Sequence, residues 1–293
     1  MATTTTPPAA ATPPGVADRR TVGGPAHEIR AMATVWQREM IRFRNDPARM
    51  FAMLLQPLLF LFVMGTGLAS IIDTGGEVEF TTFLFPGVLA ISVLFSAAFA
   101  GISLVWDREF GFLREMLVAP VSRFAIIMGK CLGGATAATL QSVVVLALAG
   151  LVGVPYHPVL MLKLLGLLFI GAFMLTSLGV LLSARIRQIQ AAMPTNQLII
   201  LPMMFLSGAL FPLANLPDWL GVLTRLNPLT YVVQPMRAAV FDHMNIAAGA
   251  RAALDPSITW FGWQLPVGVQ VLVAIGFAGA ILAAGMAAFD RTD

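Results

Sequence analysis

Apolar runs of about twenty residues without a charged side chain recur along this chain, and they constrain its fold more than any other feature. A helix rises about 1.5 Å per residue, so about 20 apolar residues cross a hydrocarbon layer roughly 30 Å thick. Six stretches read as spans: Met50–Ile72, Phe80–Val105, Cys131–Val152 (its helix beginning near Phe124), Leu164–Ala184, Ala191–Leu213 and Pro266–Phe289. Gln56-Pro57 predicts a kink in the first, while Pro194, Pro202 and Gly208 interrupt the fifth. Only 11% of residues are charged and 58% are hydrophobic, with a mean hydropathy of +0.82. Soluble domains average about 25% charged residues. The expected class is an all-α polytopic membrane protein with six transmembrane helices.

In such a protein the position of basic residues matters more than the net charge of +3, and the pI near 9.6 is no argument for nucleic acid. With a cytoplasmic N-terminus, fourteen of the eighteen Lys and Arg fall inside, leaving Lys163, Arg225, Arg237 and Arg251 outside. Asp73, Glu77 and Glu79 also fall outside. Both termini are therefore expected in the cytoplasm. Met1–Ala26 is rich in Thr, Pro, Ala and Gly and reads as a disordered cytoplasmic tail without the apolar core of a signal peptide. His27–Arg49 reads as an amphipathic helix in the headgroup region. Ile29, Met32, Trp36, Met40 and Phe43 form its apolar stripe, backed by Arg30, Arg38, Arg42 and Arg44, and Asn45-Asp46-Pro47 breaks it.

The charged stretch Trp106–Arg123 lies between the second and third spans. Read as one helix, it places Asp107, Arg108, Gly111, Arg114, Glu115 and Val118 within an arc about 120° wide. Phe110, Phe112, Leu113, Met116 and Leu117 fill the other side, Glu109 is a carboxylate on that apolar arc, and Pro120 ends the helix. Such a stretch is either a solvated loop with a surface helix or a helix that docks into a soluble partner. Lys130 counts with the basic residues of this loop, and the spans carry no cluster of charges.

On the outer side, Pro217–Pro228 reads as a short amphipathic helix. Leu229–Phe241 is apolar but too short to cross, hence interfacial or re-entrant. Gln141 and Ser142 in the third span, with Thr195, Asn196 and Gln197 in the fifth, either face a pathway or bond helix to helix. Phe205 is a further pathway candidate, with packing as its alternative. Cys131 is the single cysteine, and His27, His157 and His243 form no sequence cluster, so neither a disulfide nor a metal site is expected.

Two stretches, in this order and on six spans, resemble the membrane subunit of ABC-2 type exporters, particularly daunorubicin-type drug-resistance and nodulation-type permeases. One is Asp107–Arg123. The other is Leu206-Ser-Gly-Ala-Leu-Phe-Pro-Leu-Ala-Asn-Leu-Pro-Asp-Trp-Leu220 with Asn227-Pro-Leu-Thr-Tyr231 and Arg237. The resemblance makes residues 27–293 one ABC-2 type transmembrane domain in a multi-pass protein of the bacterial plasma membrane. It implies a second permease copy or paralogue and a dimer of ATPase subunits that carries ATP and Mg, with no cofactor on this chain. His27–Arg44 would be the connecting helix. Asp107, Arg108, Glu109, Gly111, Arg114 and Glu115 would belong to the coupling helix, with Glu109 a transmission contact. Phe211–Phe241, including Trp219, Asn227, Pro228, Tyr231 and Arg237, would form an extracellular re-entrant lid.

The residues agree in part without the family. No Gly-x-x-x-x-Gly-Lys-Ser/Thr phosphate loop is present, since the only Gly-Lys pair, Gly129-Lys130, is followed by Cys131. Spans of Leu, Ala, Val, Phe and Met, with two tyrosines in the chain, favour hydrophobic or amphipathic cargo such as a drug, secondary metabolite or lipid. A polysaccharide or glycolipid exporter is the within-class alternative, and a non-transporting membrane anchor is another. An intramembrane enzyme is disfavoured: Phe205-Leu-Ser-Gly208 lacks the first glycine of a rhomboid-like Gly-x-Ser-Gly, and the spans lack Asp-rich metal motifs.

Overall fold

The computed structural model describes residues 24–69, 79–119, 121–213, 216–244 and 262–290, with 246, 251, 254 and 258–260. The tail to residue 23, the acidic loop residues Asp73 and Glu77, the helix-ending Pro120 and Arg291 lie outside the described residues. The helices among those described are α1 Pro25–Arg44, α2 Pro47–Ala69, α3 Phe80–Glu109, α4 Phe112–Val118, α5 Arg123–Leu146, α6 Pro158–Arg185, α7 Ile189–Leu206, α8 Asp218–Leu226, α9 Thr230–Phe241 and α10 Val267–Asp290. Two-residue strands, Thr259–Trp260 and Trp263–Gln264, pair antiparallel across a turn at Gly262.

Five helices, α2, α3, α6, α7 and α10, are long and apolar enough to cross a membrane. The 24-residue α5 equals them in length, but Lys130, Gln141, Ser142 and its glycines and threonines lower its hydropathy. The Gln56-Pro57 signal appears as expected. Pro57 sits inside α2, and the helix widens into a π-turn at Phe60–Met64 one turn later.

The centre is α3, apolar round most of its circumference and buried against α5, α6, α7 and α2. Its crossing with α6 is made at Gly101 and Gly179, where a Cβ on Gly101 would meet the Gly179 Cα at 2.4 Å. That approach between backbones leaves no room for a side chain at either position unless the helices shift. At one end of the bundle, all twelve residues of α9 are buried among α3, α6 and α10. At about 18 Å it is shorter than a membrane crossing requires, and its surface is covered by protein.

At the other end α1 packs along α5. The buried positions of α1 are Val35 and Glu39, which meet α5 where a Cβ on Gly129 or Gly133 would touch Val35 Cβ at 2.8 Å or Glu39 Cβ at 2.7 Å. Ile29 and Trp36, assigned in sequence to the stripe that lies in the headgroup region, are exposed, as a stripe facing lipid would be. The glycines of α5 let α1 approach closely along this face, and Trp36 donates to Thr136 of α5 at 3.1 Å beside them.

Candidate functional site

The stretch Trp106–Arg123 is two helices, not one. Gly111 adopts φ 81°, ending α3 and opening α4 on a new axis. A glycine just past a helix end takes this left-handed conformation without the penalty a Cβ brings. The single polar arc therefore does not exist. Arg114 and Glu115 are exposed on α4, whereas Asp107 lies buried on α3 with 1% of its surface accessible. Phe110 and Phe112, placed in sequence on the apolar arc, are 65% and 48% exposed, and Val118, placed on the polar arc, is 80% exposed. Leu113 is the residue of α4 that anchors it to the body.

Beneath this tip lies a cluster of charges that the sequence reading excluded. Lys130 belongs to α5 rather than to a loop, and it is 2% exposed. Its Nζ donates to Glu39 Oε1 at 2.9 Å and to Ser103 Oγ at 3.2 Å and forms an ion pair with Asp107. Arg38 Nη2 reaches Asp107 Oδ1 at 2.8 Å, and Arg42 lies 3.9 Å from the same oxygen. Burying charges is tolerable only when each is paired, and here Glu39 and Asp107 find their cations on α5 and α1. The cluster thus ties α1, α3 and α5 together. Arg38 continues to α4: its guanidinium lies 5.3 Å from the centre of the Phe112 ring and 3.4 Å from Met116 Sδ.

The two residues before the turn hold the ends of two other spans. Arg108 donates to the carbonyls of Ile186 at 2.8 Å, Ser183 at 3.2 Å and Ala184 at 3.3 Å, satisfying the otherwise unpaired C-terminus of α6. Glu109 Oε2 accepts the Ile189 amide at 2.9 Å, placing a carboxylate at the N-terminus of α7. Glu28 on α1 similarly bonds the Ser122 hydroxyl and amide at the start of α5.

The polar residues of the spans separate. Gln141 and Ser142 are buried between α3 and α5: Ser96 donates to Gln141 Oε1 at 2.9 Å, and the Ser92 and Ser142 hydroxyls lie 2.8 Å apart. Thr195 bonds back to the Ala191 carbonyl, Asn196 is buried, and Gln197 and Phe205 are exposed. At the opposite end Trp219 is exposed on α8, and Asn227 bridges the Met203 carbonyl at 2.7 Å and the Leu229 amide at 3.0 Å, with Pro228 beginning the turn into α9. Tyr231 donates to the Arg225 carbonyl at 2.8 Å and accepts from Trp260. Arg237 is fully buried, donating to the Gly208 carbonyl at 2.7 Å and stacked 4.2 Å over Phe83.

A helical bundle with five helices long and apolar enough to cross a membrane defines a polytopic membrane protein. The ABC-2 type transporter family matches residues 30–241, and the chain belongs to that family. Among its relatives, the putative transport permease ycf38 of Cyanophora paradoxa is 30% identical over 217 residues, 71% of this chain and 73% of the relative. Its counterpart in Pyropia yezoensis is 32% identical over 219 residues, 72% of each chain. Nodulation protein J of Rhizobium leguminosarum bv. trifolii is 28% identical over 212 residues, 71% of this chain and 80% of that one. The matched region covers α1 through α9, so the buried charges and the Gly111 turn both lie inside it.

Proposed function

We propose that this chain is the permease half of an ATP-driven exporter in the bacterial plasma membrane, moving a hydrophobic or amphipathic compound outward. A second permease and a separate pair of ATPase subunits complete it. The α1/α4 end faces the cytoplasm, as the distribution of basic residues favours. Six crossings follow when α5 is counted with the five more apolar helices. The observation that carries this reading is the α4 tip. Phe110, Arg114, Glu115 and Val118 are exposed together, while the turn beside them is tied to the ends of α6 and α7 and, through Arg38, to α1. An exposed apolar patch rimmed by charges fits a protein partner. Arg108 and Glu109 act behind that surface, as links from α4 to the spans.

The test is reconstitution with the candidate ATPase subunit. Phe110→Ala/Val118→Ala and Arg114→Ala/Glu115→Ala should each lower permease-stimulated ATP hydrolysis and co-purification by tenfold or more, with the fold retained. Stimulation unchanged in both double variants would move the docking surface elsewhere. If the wild-type chain neither bound nor stimulated the ATPase, the membrane-anchor reading would replace the exporter.

A further inference from the structure

A cavity of about 360 Å³ lies among α1, α2, α3 and α7, within the size range of small-molecule sites. Its walls are apolar and aromatic, including Met53, Phe99, Ile102 and Trp106, and two guanidinium groups enter it, Arg42 and Arg49. Arg42 lies 5.0 Å from the centre of the Trp106 ring, and Arg49 lies 5.7 Å from that of Phe99. The cations differ in what else they hold. Arg42 is 3.9 Å from Asp107, whereas the Arg49 guanidinium has no hydrogen bond or ion pair among the described residues.

The acidic groups nearby are already engaged. Glu39 is paired with Lys130, Asp107 with Lys130 and Arg38, and Asp46 accepts the backbone amide of Arg49 at 3.1 Å. Four cations, Arg38, Arg42, Arg49 and Lys130, face three carboxylates, and Arg49, which Asp46 and Glu39 attract only through space, is the cation without a direct ion pair among the described residues. The cavity is flanked by α2 and α7, the two spans whose apolar windows are least covered, 22% buried each. Those faces of α2 and α7 are left open for lipid or for the second permease, and a guanidinium pair at the cavity between them suits phosphate or carboxylate.

We propose that this cavity binds the anionic head group of a lipid-like amphipath, with Arg49 and Arg42 on the head group and the tail along Phe99, Ile102 and Met53. This deepens the exporter reading and rests on it for the ligand's role as cargo, but the binding step needs this chain alone.

The test uses the chain in phosphatidylcholine nanodiscs, doped with lipids brominated on the tail. Quenching of Trp106 is taken as the difference from Trp106→Phe. Brominated phosphatidic acid should quench at a mole fraction at least tenfold below brominated phosphatidylcholine. Arg49→Gln should reduce that preference to twofold or less, Arg49→Lys should keep most of it, and Arg30→Gln, at an exposed arginine outside the cavity, should leave it intact. Equal quenching by the two lipids, or a preference that survives Arg49→Gln, would overturn the proposal. Millimolar inorganic phosphate should not displace the lipid; full displacement would make the site one for free anions and refute the amphipath. Because no ATPase is present, failure of the coupling experiment leaves these outcomes readable on their own.

Discussion

Replacing Lys130 with Met tests the buried charges directly, because it removes the ammonium and keeps most of the unbranched apolar stem. Asp107 would keep Arg38 at 2.8 Å and Arg42 at 3.9 Å, but Glu39 would lose its one ion pair among the described residues while remaining 8% exposed. Removing one partner of a buried pair costs about 3–5 kcal/mol, mostly from the charge left behind. The lower end applies here, since one of the two carboxylates is still compensated. At about 2–4 °C per kcal/mol for chains of 150–250 residues, Lys130→Met should lower the melting temperature by roughly 5–12 °C. The readout is built in: Cys131 is the only cysteine and is buried, so a thiol-reactive fluorophore reports unfolding. Glu39→Gln combined with Lys130→Met should recover at least half of the loss, a coupling of about 1.5 kcal/mol or more. A Lys130→Met protein as stable as wild type, or a double variant no better than the single one, would refute the pairing of these groups inside a dry interface.

Glu109→Gln replaces a charge-assisted bond to the Ile189 amide with a neutral one, so partner-stimulated ATP hydrolysis and transport should both fall while stability drops by less than about 1 kcal/mol. If neither activity changes, Glu109 transmits nothing. Arg38→Met should leave the Lys130 pairs in place and the fold largely intact, but reduce stimulation of the ATPase several-fold. Gly101→Ala puts a methyl into the Gly179 backbone and should cost about 1–3 kcal/mol in the same thiol-probe melt. Arg237→Met strips the Gly208 carbonyl of its buried donor, a loss of about 1–3 kcal/mol visible as a lower melting temperature.

Five of the six spans were readable because hydrophobic length is a local property, and α8 and α9 were readable because Pro217, Pro228 and a run of only twelve residues delimit them. The break at Gly111 was missed by extending one helical period across it, although a glycine just after Arg108 and Glu109 is a helix-stop signal in its own right. Lys130 was assigned to a loop because a lysine next to an apolar run looks like the end of that run. Its partner Glu39 is 91 residues away on α1, and nothing local announces the pair. Gly129 and Gly133, one turn apart and flanking Lys130, were the available hint that another helix approaches there. The burial of Arg237 was not legible for the same reason: its acceptor, Gly208, lies 29 residues earlier in a turn that sequence periodicity does not describe.

The Gly111 turn poses a mechanical difficulty for any partner that pulls on α4, since a left-handed glycine with open space around it is a natural place to bend. A hinge there would let α4 move without α3. Arg38 spans that hinge: one guanidinium touches Asp107 on the α3 side and Met116 and Phe112 on the α4 side. Leu113 adds a buried foothold on α4. The break is thereby splinted from α1, and displacement of the tip is shared with the residues immediately before it. Those are Arg108 and Glu109, which hold the last turn of α6 and the first turn of α7. The cavity with Arg42 and Arg49 is bounded by α1, α3 and α7, three of the helices these contacts reach. A force applied at Phe110–Val118 would thus reach, through Arg38, Arg108 and Glu109, helices that wall a cavity whose charge and lining suit an amphipathic cargo.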